Sequence, residues 1–343
     1  MTRRLVVDLA SPWAAWRVPD GALRAIGEAL GPAWEVVTVR APAASDGDGG
    51  SGSSEEAAAA ARGAEIYFGY GVPGTVAGAG RASLRWVHSA TAGVGASLAS
   101  LAGTGILLTN SAALHADPIA DWAIAAIAYF ARGLDRMREF QATERWAKAE
   151  FADFAVPVRE LGELRLGVFG LGGIGSAVAR RAVALGMTVA GVRRRPERGG
   201  PPGVEWVGGL ADLPRLAAER DCLVIAAPQT PATRGAVGRA VLERLAPGAI
   251  VVNVSRGALL EDAALLELLD RGALRGAALD VFTTEPLPAG HPFWHHPRVL
   301  VSPHVAGVTA RFWARETGLI VENIRRYLAG TPLLNVVDQE AGY

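Results

Sequence analysis

Apolar positions in this chain fall into short continuous runs separated by stretches of helical spacing. Residues 5–9, 35–39 and 65–70 have the length and the β-branched and aromatic content of buried strands, with a helical pattern over 21–30 between the first two. A second helix is expected over 55–62. From Leu84 onward the pattern repeats, with a strand through Trp86 and Val87, a Gly-containing loop SATAGVG over 89–95, and a strand over 105–109. A long helix follows, with Asp117 read as its N-cap and Pro118 at its first position, running to Arg132 and resuming after a break near Gly133. Because this helix is apolar on every face, it is expected to lie between domains or at a subunit interface.

The middle of the chain alternates strand and helix. Strands are predicted over 165–169, 188–192, 222–227, 249–253, 277–280 and 299–301, with helices in most of the gaps. Such alternation predicts an α/β fold with parallel sheets covered on both faces. A final helix over 308–328 returns the chain to its first half. The expected architecture is therefore two α/β domains, the first completed by residues from both ends.

Composition narrows the class. A length of 343 residues suits about two domains. The 34 basic and 34 acidic side chains cancel, so there is no broad basic footprint for nucleic acid. A single cysteine, Cys222, allows neither an internal disulfide nor a cysteine-based metal site, and it sits inside a predicted buried strand, as a core residue would. A reducing, cytoplasmic setting is expected. The N-terminal MTRRLVVDLASP is too short in apolar length for a signal peptide, and the most apolar stretch, 119–131, contains Asp121 and is shorter than the roughly 18 residues a membrane span needs. Neither membrane nor nucleic acid is expected as a partner. The run SDGDGGSGSS over 45–54 is expected to form a mobile surface loop.

The sharpest local signal is LGVFGLGGIG, in which an apolar strand leads into Gly170-x-Gly172-x-x-Gly175 and then into a helix. Gly170 permits the tight turn, Gly172 lets backbone approach a pyrophosphate, and Gly175 lets helix and strand pack closely. Gly173 and Ile174 complete the turn, and the helix N-terminus offers unpaired N–H groups to the anion. The next strand ends in Val192 and then Arg193, Arg194 and Arg195, where an NAD site usually carries Asp or Glu. Three guanidinium groups match a ribose 2′-phosphate, which favours NADP(H), with NAD(H) possible. The other reading of the triplet is a solvated basic turn.

Four segments stand in a fixed order: residues 170–175, Asn253-Val-Ser255-Arg256-Gly257, Ala278-Leu-Asp280-Val-Phe-Thr-Thr-Glu285-Pro286, and Ser302-Pro-His304-Val-Ala-Gly307. In order and spacing they resemble the D-isomer-specific 2-hydroxyacid dehydrogenases, with the resemblance strong over 86–307 and weak over the first 80 residues. The resemblance implies two doubly wound parallel-sheet domains, a Rossmann dinucleotide-binding domain (112–306) inserted into a flavodoxin-like substrate domain (1–111 and 307–343). It also implies a catalytic trio of Arg256, Glu285 and His304, each just past the carboxyl end of a predicted strand, where ligands of open α/β sheets bind. Reduction of a 2-keto acid asks for such groups: an Arg fork for carboxylate and carbonyl, a histidine acid for the oxygen, and a carboxylate to fix that histidine's tautomer.

Further roles follow from the same resemblance. Asp280 is expected at the nicotinamide carboxamide. Pro228, Thr233, Ser255 and Ile174 are expected to line the cofactor, and Ala92, Gly93 and Val94 to bind the substrate carboxylate through backbone N–H groups, with Arg256 and His304; a simple turn is the alternative for the 92–94 loop. His291, His295 and His296 lack partners at ligand spacing, and no metal is expected. The implied activity is hydride transfer between NADP(H) and a small 2-keto or 2-hydroxy acid of the glyoxylate or hydroxypyruvate kind, in a homodimer. Alternatives are an NAD-dependent dehydrogenase of a larger or phosphorylated D-2-hydroxy acid, and a non-catalytic dinucleotide-sensing scaffold.

Overall fold

The computed structural model describes residues 3–41 and 54–339. Of the run expected as a mobile loop, only Ser54 lies within them. It caps the helix Glu55–Ala61 by accepting a hydrogen bond from the Ala57 N–H at 3.1 Å. The chain divides into two compact units, Met1–His115 with Val308–Tyr343, and Ala116–Gly307.

The first unit is built on five parallel strands, β1 (Arg3–Asp8), β2 (Trp34–Thr38), β3 (Ile66–Gly69), β4 (Trp86–Ser89) and β5 (Leu107–Asn110), in the order β2-β1-β3-β4-β5. That is the flavodoxin-like order of a doubly wound sheet. Alternation along β1 sends Leu5 and Val7 to one core with Ile26, Phe68 and Trp86, and Val6 to the other with Tyr67, Val87 and Leu108. The helix Phe312–Ala329 adds Ile320 and Ile324 to the first of these cores. The chain after it is stitched to β5, with the Asn110 N–H donating to the Asn335 carbonyl at 3.1 Å and the Val337 N–H to Leu108 at 2.9 Å.

A fully buried polar cluster secures this return. His88 sits 2.8 Å from Thr109 Oγ1 through Nδ1 and 2.8 Å from Glu316 through Nε2, while the Ser111 hydroxyl donates to the other Glu316 oxygen at 2.8 Å. Each polar group is thereby satisfied, which a buried network requires if it is to stabilise.

The second unit carries seven parallel strands: β6 (Arg165–Phe169), β7 (Thr188–Val192), β8 (Val204–Gly208), β9 (Cys222–Ile225), β10 (Ala249–Asn253), β11 (Leu274–Leu279) and β12 (Val299–Val301). Their order, β12-β11-β10-β9-β6-β7-β8, reverses direction between β6 and β9. This is the Rossmann arrangement with one further strand, and its switch point is where ligands bind. Strands β9 and β10 are buried throughout, as a sheet covered on both faces demands. Cys222 is part of that core, and burial pushes its thiol well above the ordinary range.

Two expectations need correction. Strand β8 is missing from the sequence reading. Its residues are only partly buried and end at consecutive glycines, so the run reads as a turn until pairing with β7 supplies its hydrogen bonds. The long helix spans Ala116–Ala131, which puts Asp117 inside the first turn instead of at the cap. There its charge suits the helix N-terminus, and with Asp121 it grips Arg181 of the helix Gly173–Ala184, at 3.0 and 2.6 Å. Among the described residues no helix is long and apolar enough to cross a membrane.

The buried cluster yields an expected outcome. Glu316→Ala leaves the buried His88 and Ser111 facing an unfilled acceptor position, a loss on the order of 1–3 kcal/mol for each polar group left without a partner. Urea denaturation should register it as a lower midpoint; an unchanged midpoint would mean the cluster does not hold the returning helix.

Candidate active site

The glycine turn after β6 has the shape its sequence foretells. Gly170 has φ 102, and a Cβ there would stand 2.4 Å from the Ala227 nitrogen, so the turn passes directly over the end of β9. A Cβ on Gly175 would fall 1.9 Å from the Gly170 carbonyl oxygen. Gly172 is different, because nothing lies within 4 Å of its Cβ direction. Gly172 and Gly173 are exposed and Ile174 is half-buried, so the N-terminus of the helix Gly173–Ala184 opens onto free space, a cradle of the kind a pyrophosphate occupies.

Beyond β7, the Arg193 N–H pairs with the Gly208 carbonyl at 2.9 Å and its guanidinium donates to the Gly199 carbonyl at 2.8 Å, while Arg194 and Arg195 are exposed. On the β9 side, the Thr233 hydroxyl donates to the Pro228 carbonyl at 2.7 Å and takes the Thr230 N–H at 2.8 Å. The Ser255 hydroxyl donates to the Ala227 carbonyl. Thr233 and Ser255 thus brace the loops over the end of β9.

Arg256, Glu285 and His304 follow β10, β11 and β12, three neighbouring strands, so loops far apart in sequence meet on one edge of the sheet. The Arg256 loop is set by Asn253, fully buried at the end of β10. Its amide donates to the Arg256 carbonyl at 3.0 Å, and its carbonyl oxygen accepts from the Ser255 N–H at 3.1 Å. Gly257 then lets this loop press against the next, because a Cβ there would overlap the Phe282 carbonyl carbon at 1.9 Å. The Arg256 guanidinium donates to the Ser255 carbonyl at 2.7 Å.

Glu285 accepts the Phe282 N–H at 2.9 Å through one oxygen and meets His304 Nδ1 at 2.7 Å through the other. A carboxylate accepts, so Nδ1 carries the proton and Nε2 is turned away from Glu285. Both side chains are about one-third exposed, 34% for His304 and 30% for Glu285. Burial pushes the Glu285 carboxyl up, but the bond and charge of His304, the Phe282 N–H and the charge of Arg256 outweigh it and hold the group below its ordinary value.

His304 has φ 55, a left-handed conformation that costs a non-glycine residue on the order of 1–3 kcal/mol. Asp280, directly after β11 and 3% exposed, faces this turn. Its Oδ1 accepts from the Ser302 hydroxyl at 2.5 Å and the Val305 N–H at 2.8 Å, and its Oδ2 from the Ala306 N–H at 3.0 Å. One acceptor position on Oδ2 is left for another donor. Sequence reasoning missed Asn253 and Gly257 as supports of the site, although a polar residue closing an otherwise apolar strand was the available signal.

In the first unit, the Ala92 carbonyl accepts from the Asn110 amide at 2.9 Å and the Gly93 carbonyl from the Thr91 hydroxyl at 2.7 Å. The loop is thereby held by its carbonyls, and its amides are left out of those bonds. His291 and His296 receive backbone N–H groups two residues on, at 3.3 and 3.1 Å, as turn caps.

An imidazole steadied by its own carboxylate, on the sheet whose switch point is shaped for a pyrophosphate, is the equipment of a dinucleotide-dependent oxidoreductase. Residues 124–306 match the D-isomer specific 2-hydroxyacid dehydrogenase NAD-binding domain, and the chain belongs to that family. It is 35% identical over 223 residues to a glyoxylate/hydroxypyruvate reductase A of Photorhabdus laumondii, covering 65% of this chain and 68% of the relative. Among solved structures, a D-isomer specific 2-hydroxyacid dehydrogenase from Xanthobacter autotrophicus, in complex with NADPH and MES, matches at 30% identity and TM-score 0.77 over 100% of both chains. An NADPH-dependent glyoxylate/hydroxypyruvate reductase from Sinorhizobium meliloti matches at 26% identity and TM-score 0.76, over 99% of this chain and 100% of that one.

The depressed Glu285 carboxyl gives a pH test. A carboxylate whose folded value is lowered stabilises fully above its unfolded value, about 4.3, and loses that contribution as pH falls through the folded value. Wild-type protein and Glu285→Gln should therefore differ in urea midpoint at about pH 6 and converge as the pH falls below the unfolded value and on through the folded one. A constant gap would place the stabilisation elsewhere.

Proposed function

We propose that this chain is an NADP(H)-dependent reductase of small 2-keto acids, of the glyoxylate and hydroxypyruvate kind, yielding D-2-hydroxy acids. The observation that carries the reading is the 2.7 Å contact between His304 and Glu285 on the dinucleotide-binding sheet. The names of the Photorhabdus and Sinorhizobium relatives support the substrate class, and the NADPH held by the Xanthobacter structure supports the cofactor.

The residues present fit a dinucleotide, since the open space over Gly172 is where a side chain would otherwise stand. Residues 170–175 would hold the pyrophosphate at the helix N-terminus, and Arg193, Arg194 and Arg195 the 2′-phosphate through charge-assisted bonds. Pro228, Thr233 and Ser255 would shape the wall beside it. When bound, the nicotinamide supplies the hydride for the substrate carbonyl carbon and leaves oxidised.

Arg256 would clamp the substrate carboxylate and carbonyl with its planar fork, fixing the reacting carbon in place. Negative charge developing on the carbonyl oxygen is met by the Nε2 proton of His304, which becomes the hydroxyl proton of the product. Glu285 keeps Nδ1 protonated and the ring aimed, and stabilises charge on the imidazole before transfer. The amides of Ala92, Gly93 and Val94 are assigned to carboxylate binding in the same reading.

We also infer a homodimer. Met137, Phe140, Trp146 and Phe151 line a cavity of about 580 Å³, and Trp146 is 91% exposed, an apolar face of the kind that pairs with a partner. A cytoplasmic location follows from dependence on a reduced dinucleotide.

Two outcomes are expected. His304→Ala should lower kcat for glyoxylate by about 10²–10⁴-fold while NADPH affinity, followed by fluorescence, holds within about twofold. A variant with most of the wild-type rate would mean the proton comes from elsewhere. Exchanging Arg193, Arg194 and Arg195 for serine should weaken NADPH binding by about 10–100-fold and leave NADH nearly unaffected. If wild-type protein binds NADH as tightly as NADPH, the NAD-dependent alternative takes over.

A further inference from the structure

We propose that Thr91 is a positioning residue for the substrate carboxylate: its hydroxyl holds the Gly93 carbonyl inward, so that the N–H of Val94 is presented outward to the anion along with those of Ala92 and Gly93. The proposal rests on the reading of this loop as the seat of a 2-keto acid.

It follows from how the loop after β4 is bonded. Three successive carbonyls are each taken by a different donor of the first unit: Thr91 by the Ser111 N–H at 3.0 Å, Ala92 by the Asn110 amide at 2.9 Å, and Gly93 by the Thr91 hydroxyl at 2.7 Å. A peptide unit is flat and trans, so its C=O and N–H point opposite ways. Pinning the carbonyls of residues 91, 92 and 93 therefore turns the N–H groups of 92, 93 and 94 each away from its anchor. No residue among those described accepts from these three amides. Successive unpaired main-chain donors of this kind bind an anion, and a carboxylate offers two oxygens to them.

The three anchors are not equivalent. Those on Thr91 and Ala92 come from the end of β5 and the residue after it, whereas the third comes from the loop itself. It reaches the sheet through a second hydroxyl, because Ser89, fully buried at the end of β4, lies 2.7 Å from the Thr91 oxygen. Thr91 gives its one proton to Gly93, so Ser89 donates and Thr91 accepts. Thr91 is itself buried, which places this pair of hydroxyls behind the loop and out of solvent. The peptide it secures follows a glycine, whose conformational freedom lets an untied carbonyl swing outward. That rotation would set an oxygen where an amide stood, and the oxygen would repel a carboxylate.

The test compares full-length wild type with Thr91→Val, Thr91→Ser and Ser89→Ala, using NADPH and glyoxylate. Thr91→Val keeps the branched shape and loses the hydroxyl. It should raise KM for glyoxylate by about 10–100-fold, with kcat and the fluorescence-derived Kd for NADPH within about threefold of wild type. Thr91→Ser, which keeps the hydroxyl, should restore KM to within about threefold. A second readout needs no turnover. Oxamate, an unreactive mimic of glyoxylate, titrated into protein saturated with NADPH should lose affinity in Thr91→Val and regain it in Thr91→Ser. Unchanged KM and oxamate affinity in Thr91→Val would overturn the proposal, as would a fall in kcat alone. Equal weakening in Thr91→Val and Thr91→Ser would also overturn it and assign Thr91 to packing. If Thr91→Val fails to fold, Ser89→Ala takes its place: it should raise KM and weaken oxamate by about three- to tenfold, and unchanged values would overturn the proposal instead. Absence of 2-keto acid reduction by wild-type protein would remove the functional reading itself, and this proposal with it.

Discussion

The bond between His304 Nδ1 and Glu285, 2.7 Å long, joins loops that leave adjacent strands β11 and β12. Neither partner is free to turn, because the second Glu285 oxygen holds the Phe282 N–H and the His304 backbone is held in its bend by donors to Asp280. The loop after β10 is drawn into the same assembly through Gly257, which lies against Phe282 and Thr283 with no room for a side chain. Three strand ends thus present a guanidinium, a carboxylate and an imidazole as one locked set. A site built this way meets its ligand without first having to order itself, which is the main source of rate advantage available from geometry.

The second sheet makes this possible because its strands all point the same way. Parallel strands place every carboxyl end on one edge, so residues 253, 256, 280, 285 and 304 converge even though crossover helices separate them. The apolar runs that form β10 and β11 carry no chemistry themselves. Their burial on both faces fixes the height and spacing of the loops that do.

Much of this was legible in the chain itself. Strands β6, β7, β10 and β12 coincide with their expected runs to the residue, and in β6, β7 and β10 the interior positions are buried and apolar, as burial on both faces requires. Strand β8 escaped notice because its interior is half-exposed and its signal exists only in pairing with β7. Asp117 resembled a cap because Asp followed by Pro is a common helix start, yet the helix begins one residue earlier, with Asp117 free to reach Arg181. For the candidate site, the glycine turn was readable from its spacing and the pairing of Glu285 with His304 from family resemblance. The roles of Asn253 and Gly257 were not, because each depends on a contact between segments that only the folded sheet brings together.

The position of Arg193, Arg194 and Arg195 has an engineering consequence. They follow β7, which lies three strands from β10 in the sheet, so at about 4.8 Å per strand their loop begins some 14 Å from the Arg256 loop. If that basic corner holds the 2′-phosphate as proposed, coenzyme preference in this scaffold is a separable trait: redesigning the corner would exchange one nucleotide currency for the other while the machinery at the far strand ends stays as it is.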